Sequence, residues 1–345
     1  MKRLLIAEVA VLLLLLVAAV FVRLGVGGGD PQLGSGPADD TQASTQDTEV
    51  MGPEFTDPQP NETESTEPTR EDPTWMTFPQ GLSLKAQQYF VYDVEKAEFL
   101  ACAGTIDDQI YPASITKLFT AYVALQYLDP TEVITAKDAL EAVVPGSSTA
   151  KIDWGDKLTV EMLVEAMLLP SGNDAAYILA VEVGRMIENN SRLHYSDSAI
   201  AFVEEMNRQA QELGMTGTHF VNPDGIHKVN HYSSYRDLTL MAQLALENPT
   251  ILKYASINVD YVTFVSGEER KWENTNALIN PESPYYCPYA VGLKTGQTPG
   301  AGACLLSAFQ YQDRTLIIGV FGCPDVEDRF IDTLQLFNKA IGIPQ

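Results

Sequence analysis

Ser114-Ile115-Thr116-Lys117 sets a serine three residues ahead of a lysine, inside a stretch from Tyr111 to Tyr122 with helical apolar spacing. A serine hydroxyl becomes a useful nucleophile once a neighbouring base takes its proton, and a lysine amine can do so if its own pKa falls. Pro112 suits the first position of the predicted helix, where a missing N–H costs nothing, which places Ser114 in the first turn. There the backbone N–H groups lack intrahelical acceptors and the dipole is positive, so an oxyanion beside Ser114 would meet ready donors. Lys117 follows about one turn on, its Cβ roughly 5–6 Å from that of Ser114. Both lie on the margin of the stripe formed by Ile115, Leu118, Phe119 and Tyr122, and so can face a cleft while the helix is buried. The same spacing arises by chance in many helices, so the chemistry needs partners elsewhere in the chain.

Two further clusters sit at predicted element ends. Ser171-Gly172-Asn173 lies between two helical runs; on an extended backbone it would turn both polar side chains to one side, with Gly172 leaving room between them. Lys294-Thr295-Gly296 closes a β-run that begins at Tyr289. His227 and His231 are four apart, but they read as loop residues without the intervening acid of a helical zinc motif, which argues against a metal site. Cys102, Cys287, Cys304 and Cys323 lack C-x-x-C spacing and read as buried apolar residues, with one disulfide left open if the domain is exported.

The elements that must position these residues indicate an α+β domain. Strands are expected over Gln87–Asp93 and Ala97–Ala103, at Ala301–Phe309 and at Thr315–Phe321, with a hairpin at Tyr261–Phe264 and Arg270–Trp272. Helices are expected from about Thr159 to near Pro170, from Ala175, over Ser198–Leu213 and over Ser234–Leu246. A last helix covers the sheet, with Asp325 as its cap and Asp328 at the capping-box position. The result is an antiparallel sheet built from N- and C-terminal strands, flanked by helices, with an α-rich lobe between them.

The 345 residues carry a net charge of −24, and this acidity excludes a phosphate-backbone binder, so no nucleic-acid partner is expected. Residues 4–22 are apolar apart from Glu8, with Lys2 and Arg3 before them and Arg23 after. Residues 1–26 thus read as a membrane anchor, with a cleavable signal peptide as the rival. Residues 27–79 hold twelve acids and one base among Gly, Pro, Ser and Thr, a composition that suits a self-repelling tether. Residues 80–345 form the folded domain, with a net charge of −15.

Taken together, Ser114-x-x-Lys117, Ser171-Gly172-Asn173 and Lys294-Thr295-Gly296 resemble the penicillin-binding-protein and serine β-lactamase superfamily. Pro112–Lys117, Leu169–Ala175, Asn222-Pro223-Asp224-Gly225, His231-Tyr232-Ser233-Ser234 and Gly292–Gly296 are similar to the low-molecular-mass D-alanyl-D-alanine carboxypeptidases, over about residues 82 to 342. The resemblance implies Ser114 as nucleophile, Lys117 as base with Lys294 as the cation that lowers its pKa, and Ser171 as proton relay. It also implies Asn173 holding the substrate amide, Lys294 and Thr295 binding the terminal carboxylate with Gly296 beside them in the substrate site, and an oxyanion hole from the N–H groups of Ser114 and Gln297. The partners implied are a peptidoglycan stem peptide ending in D-Ala-D-Ala and β-lactams as covalent inhibitors, outside a bacterial cytoplasm, with neither metal nor cofactor.

Two departures from the family pattern stand out. Ala303 replaces an aromatic residue frequent after Ala-Gly, and the chain stops after its last helix, leaving membrane attachment to residues 4–22. A class A β-lactamase would need a Glu-x-x-x-Asn loop soon after Ser171, and Glu204-Glu205-Met206-Asn207 has the wrong spacing within a helix. A non-catalytic wall-binding scaffold of the same fold is the other alternative.

Overall fold

A computed structural model describes residues 81–342. The expected anchor and tether lie outside the described residues. Among the described residues no helix is long and apolar enough to cross a membrane.

In chain order, β1 (Gln88–Asp93), β2 (Glu98–Cys102) and the short β3 (Gln109–Ile110) lead to helix α1 (Thr116–Tyr127). Strands β4 (Val133–Thr135) and β5 (Lys157–Thr159) pair with each other before helices α2 (Val160–Leu168), α3 (Asn173–Ile187) and α4 (Tyr195–Glu212). After β6 (Ser233–Ser234) come α5 (Tyr235–Glu247), α6 (Pro249–Ala255) and the hairpin β7 (Val259–Thr263) and β8 (Glu269–Glu273). The chain returns through β9 (Ala290–Thr298), β10 (Gly302–Tyr311) and β11 (Arg314–Cys323) and ends in α7 (Asp328–Ala340).

The main sheet has five strands in the order β2-β1-β11-β10-β9, all antiparallel, so the first and last segments of the domain pair as expected. Both faces are buried, which explains the near-continuous apolar runs. Phe90, Leu306, Ala308 and Ile317 face the helical lobe, while Val91, Leu305, Leu316, Ile318 and Val320 face Phe330, Leu336 and Phe337 of α7. Among the described residues strand β9 is an outer strand, with one edge open.

Four local expectations change. The Ser114 segment is not the first turn of an α-helix: Pro112 precedes a 3-10 turn, Ala113–Ile115, and α1 begins only at Thr116. Ala113 takes φ +49°, a conformation imposed by the backbones packed around it. Strand β9 continues beyond Gly296, because Gln297 and Thr298 pair with Ala303 and Gly302. The last helix starts at Asp328 without a side-chain cap; Phe330 N and Ile331 N donate to Glu327 O (3.0 and 3.1 Å), so the backbone alone opens the turn and Asp325 stands outside it. Helix α6 was not expected, yet its signal is plain: Asn248 accepts from Thr250 N and Ile251 N, and Pro249 takes the first helical position. The four cysteines are buried and form no disulfide among the described residues.

Candidate active site

Helix α1 and the Ser114 turn before it are held by a loop that reaches them from more than 100 residues downstream. Thr120 Oγ1 donates to Pro223 O (2.6 Å), Lys117 Nζ donates to Asp224 O (2.6 Å), and Thr116 Oγ1 meets His231 Nε2 (2.8 Å). His231 Nδ1 accepts from Val221 N (3.2 Å), so the ring proton sits on Nε2 and is given to Thr116. Burial drives the His231 pKa down to about 3, which keeps the ring neutral. His231 is thus a structural strut, and among the described residues no His/Cys/Asp/Glu group could hold a metal ion.

The loop itself is closed by Asn222, whose side chain donates to Ile226 O (2.7 Å) and accepts from Gly225 N (2.8 Å). Gly225 has φ +83°, and a Cβ there would lie 1.9 Å from Ala113 O, so only glycine lets the loop reach the Ser114 turn. On the opposite side a Cβ at Gly296 would lie 2.9 Å from Pro112 O and 3.2 Å from Ser114 N. Ser114 is therefore held between two glycine backbones.

Within this frame Lys117 Nζ lies 2.8 Å from Ser114 Oγ, and that hydroxyl also approaches Asp224 O at 3.5 Å. Lys117 is fully buried. Burial lowers its pKa to about 8, opposed by the carboxylates of Asp224 and Asp174. A lysine at this value is about one-tenth neutral at pH 7, so a base is available without large cost.

Lys294, on β9, is equally buried and is held well below the usual lysine range by burial first, then by the charges of Lys117 and Arg329. Lys294 was expected to lower the Lys117 pKa further, beside burial; burial is the leading cause of the fall. Repulsion between the two amines is mutual, and Lys294 faces Arg329 as well. Lys294 Nζ donates to Thr295 O (3.2 Å) and reaches Thr295 Oγ1 and Thr275 Oγ1 (3.4 and 3.5 Å), whose hydroxyls share a 2.5 Å hydrogen bond.

Ser171 and Asn173 enter from the α2–α3 corner, which is not extended: Ser171 has φ +64° and Asn173 opens α3 after Gly172. Asp174 anchors the corner by accepting from Ala150 N (2.9 Å), Ala175 N (2.9 Å) and Ile152 N (3.1 Å), and Asn173 N donates to Ser148 O (2.9 Å). Both Ser171 and Asn173 are buried. Among the described residues neither the Ser171 hydroxyl nor the Asn173 amide group has a protein partner. They are free to serve a ligand.

Residues 75–325 match the family model described as D-alanyl-D-alanine carboxypeptidase. The chain belongs to that family. A D-alanyl-D-alanine carboxypeptidase of Streptomyces sp. (strain K15) is 34% identical over 240 residues, covering 67% of this chain and 78% of the relative. The carboxypeptidase DacF of Bacillus subtilis is 29% identical over 237 residues, 68% of this chain and 57% of DacF, so the chain spans little more than half of that relative's length. The crystal structure of the Streptomyces K15 DD-transpeptidase aligns with a TM-score of 0.67 at 29% identity, covering 76% of this chain and 99% of that one.

One residue of this carboxypeptidase-family site was absent from the sequence reading. Arg329, buried in the first turn of α7, donates from Nη1 to Gly296 O (3.3 Å), and its Nε has no partner. Burial lowers its pKa to about 10. A cation in a helix's first turn opposes the dipole, and that mismatch was the available signal. Of the residues weighed for a β-lactamase, Glu205 and Asn207 are held in structural contacts: Glu205 binds Arg208 and Tyr127 (2.6 Å each), and Asn207 bonds Phe220 N and O (2.8 Å each).

Proposed function

We propose that the chain is a serine D-alanyl-D-alanine carboxypeptidase acting on peptidoglycan stem peptides, and that the carrying observation is the 2.8 Å contact between Ser114 Oγ and a deeply buried Lys117 Nζ. Neutral Lys117 takes the Ser114 proton as Oγ attacks the carbonyl of the penultimate D-alanine. The oxyanion is met by the backbone N–H groups of Ser114 and Gln297. Ser171 passes the proton from Lys117 to the leaving nitrogen, the C–N bond breaks, and D-alanine departs. Water then hydrolyses the ester on Ser114.

Before this, the substrate's terminal carboxylate enters beside Lys294 and Arg329. An arriving anion favours the charged form of Lys294, and the Arg329 Nε gains the acceptor it lacks. Asn173 holds the substrate amide, and the open edge of β9 receives the peptide as an added strand. Penicillins, as carboxylate-bearing cyclic amides, acylate the same oxygen. The apolar segment at residues 4–22 supports a location outside the cytoplasm, on the outer face of a bacterial membrane if it is kept as an anchor and released if it is cleaved.

The test is incubation with a muropeptide ending in D-Ala-D-Ala and, separately, with a labelled penicillin. Free D-alanine and a long-lived adduct on Ser114 are expected, both lost in Ser114→Ala. Rapid turnover of penicillin would favour a β-lactamase, and neither release nor labelling would leave a non-catalytic scaffold.

A further inference from the structure

His227 stands outside the roles derived so far, yet it touches the three segments that must stay in register. Its ring meets Tyr111 edge-on, with centroids 4.5 Å apart at 82°, immediately before the Pro112–Ser114 turn. It follows the Asp224-Gly225 loop that receives Lys117. It also lies flat against Gly300, in the β9–β10 turn just beyond Gln297. A Cβ at Gly300 would stand 2.5 Å from its Cε1 and 2.6 Å from both ring nitrogens.

The ring is not placed by its own polar atoms. His227 Nδ1 is buried without a partner, whereas the carbonyls on either side are fixed: Ile226 O accepts from Asn222 Nδ2 (2.7 Å) and Lys228 O from His231 N (3.0 Å). A side chain held by its flanking backbone and used on both sides as a surface is there for its shape. We propose that His227 is a positioning residue, a clasp whose flat ring locks the β9–β10 turn against the Ser114 segment and so fixes the Gln297 N–H relative to the nucleophile. The inference rests on the proposed acylation of Ser114, and its test includes a readout independent of that activity.

Four full-length variants are compared with the wild-type chain: His227→Ala, His227→Phe, Gly300→Ala and the double variant His227→Ala/Gly300→Ala. Loss of the ring should cut the penicillin acylation rate and kcat about tenfold with KM changed less than about twofold, as expected when groups are misplaced rather than lost. It should also speed amide hydrogen exchange over 297–302. His227→Phe, with a ring of similar shape and no nitrogen, should stay within about twofold of wild type in both readouts. Gly300→Ala should be damaging while the His227 ring is present and nearly neutral once it is gone, so the double variant should be no worse than His227→Ala alone.

Equal damage from Phe and Ala overturns the clasp, as does additivity in the double variant or loss of acylation with unchanged exchange. If His227→Ala fails to fold, Gly300→Ala and His227→Phe still decide the matter. A wild-type chain that is never acylated would refute the proposed function, while the exchange rates would still test the clasp.

Discussion

Replacing Lys117 by methionine keeps an unbranched apolar stem and removes the titrating amine. Burial lowers Lys117 from 10.5 to about 8, and the side chain has no exposed surface, so solvent does not screen the effect. The folded pKa lies below the unfolded one. Below pH about 8 both states hold the proton, and the folded chain carries the whole penalty, about 3 kcal/mol for a shift of this size. From about 8 to 10.5 the folded state has released the proton while the unfolded state retains it, so stability climbs with pH until the penalty is gone. Methionine has no such window. The stability of wild type minus that of Lys117→Met should therefore rise by about 2 kcal/mol between pH about 7 and about 9.5. Lys294 reinforces the sign: relieved of its neighbour's charge, its pKa rises in the variant and its own share of the climb shrinks. Urea unfolding of both proteins at the two pH values measures the difference, and hydrogen bonds lost to methionine cancel because they weigh equally at each pH. The acidic limb of wild-type penicillin acylation should be centred near the same value of about 8. A pH-independent stability difference, or a limb unrelated to the unfolding window, would refute the assignment of Lys117 as a base made available by burial.

Three further outcomes follow from named contacts. Gly225→Ala puts a methyl group 1.9 Å from Ala113 O at φ +83°, so acylation should fall at least about a hundredfold, with a loss of roughly 2 kcal/mol or more in thermal melts. Arg329→Leu removes a buried cation short of partners, and should raise KM for a free-carboxylate peptide about tenfold or more while leaving the melting temperature unchanged or higher. A carboxyl-amidated peptide should be indifferent to it. Burial and Asp260 raise Glu165 to about 8, above its unfolded value of 4.5, so the folded state keeps a proton that the unfolded state releases and stability falls as pH rises through that window. Glu165→Gln should therefore gain on wild type steadily from pH about 5 to about 8, as read by unfolding at each pH.

Much of the architecture was legible because both faces of the sheet are buried. Continuous apolar runs such as Leu316–Val320 then announce strands, and apolar faces at helical spacing announce helices, though the Asn248-Pro249 start of α6 went unread. What escaped was set by partners distant in sequence. The 3-10 turn at Ala113–Ile115 follows from Gly225 and Gly296 pressing on its backbone, and neither is visible from within the motif. Strand β9 overran its glycine because β10 offered Ala303 and Gly302 as partners. The Ser171 corner, expected to be extended, adopts φ +64° because Gly172 packs against Ala166 O and the Asp174 carboxylate ties the following turn to Ala150 and Ile152.

The same distinction governs the chemistry. Helical spacing put Lys117 near Ser114 but placed it at the edge of an apolar stripe, where a lysine would keep its ordinary pKa. Its burial comes from the Asn222–Gly225 loop closing over α1, with Asp224 lending a backbone carbonyl to the amine. The Asp224 carboxylate works against deprotonation, so the loop both strips water from Lys117 and limits how far its pKa can fall. An amine left near 8 holds enough neutral base to take the Ser114 proton and, in the proposed reaction, remains basic enough to keep it for the relay through Ser171. A deeper pocket without Asp224 would make a weaker base, and a wetter one would leave the amine charged.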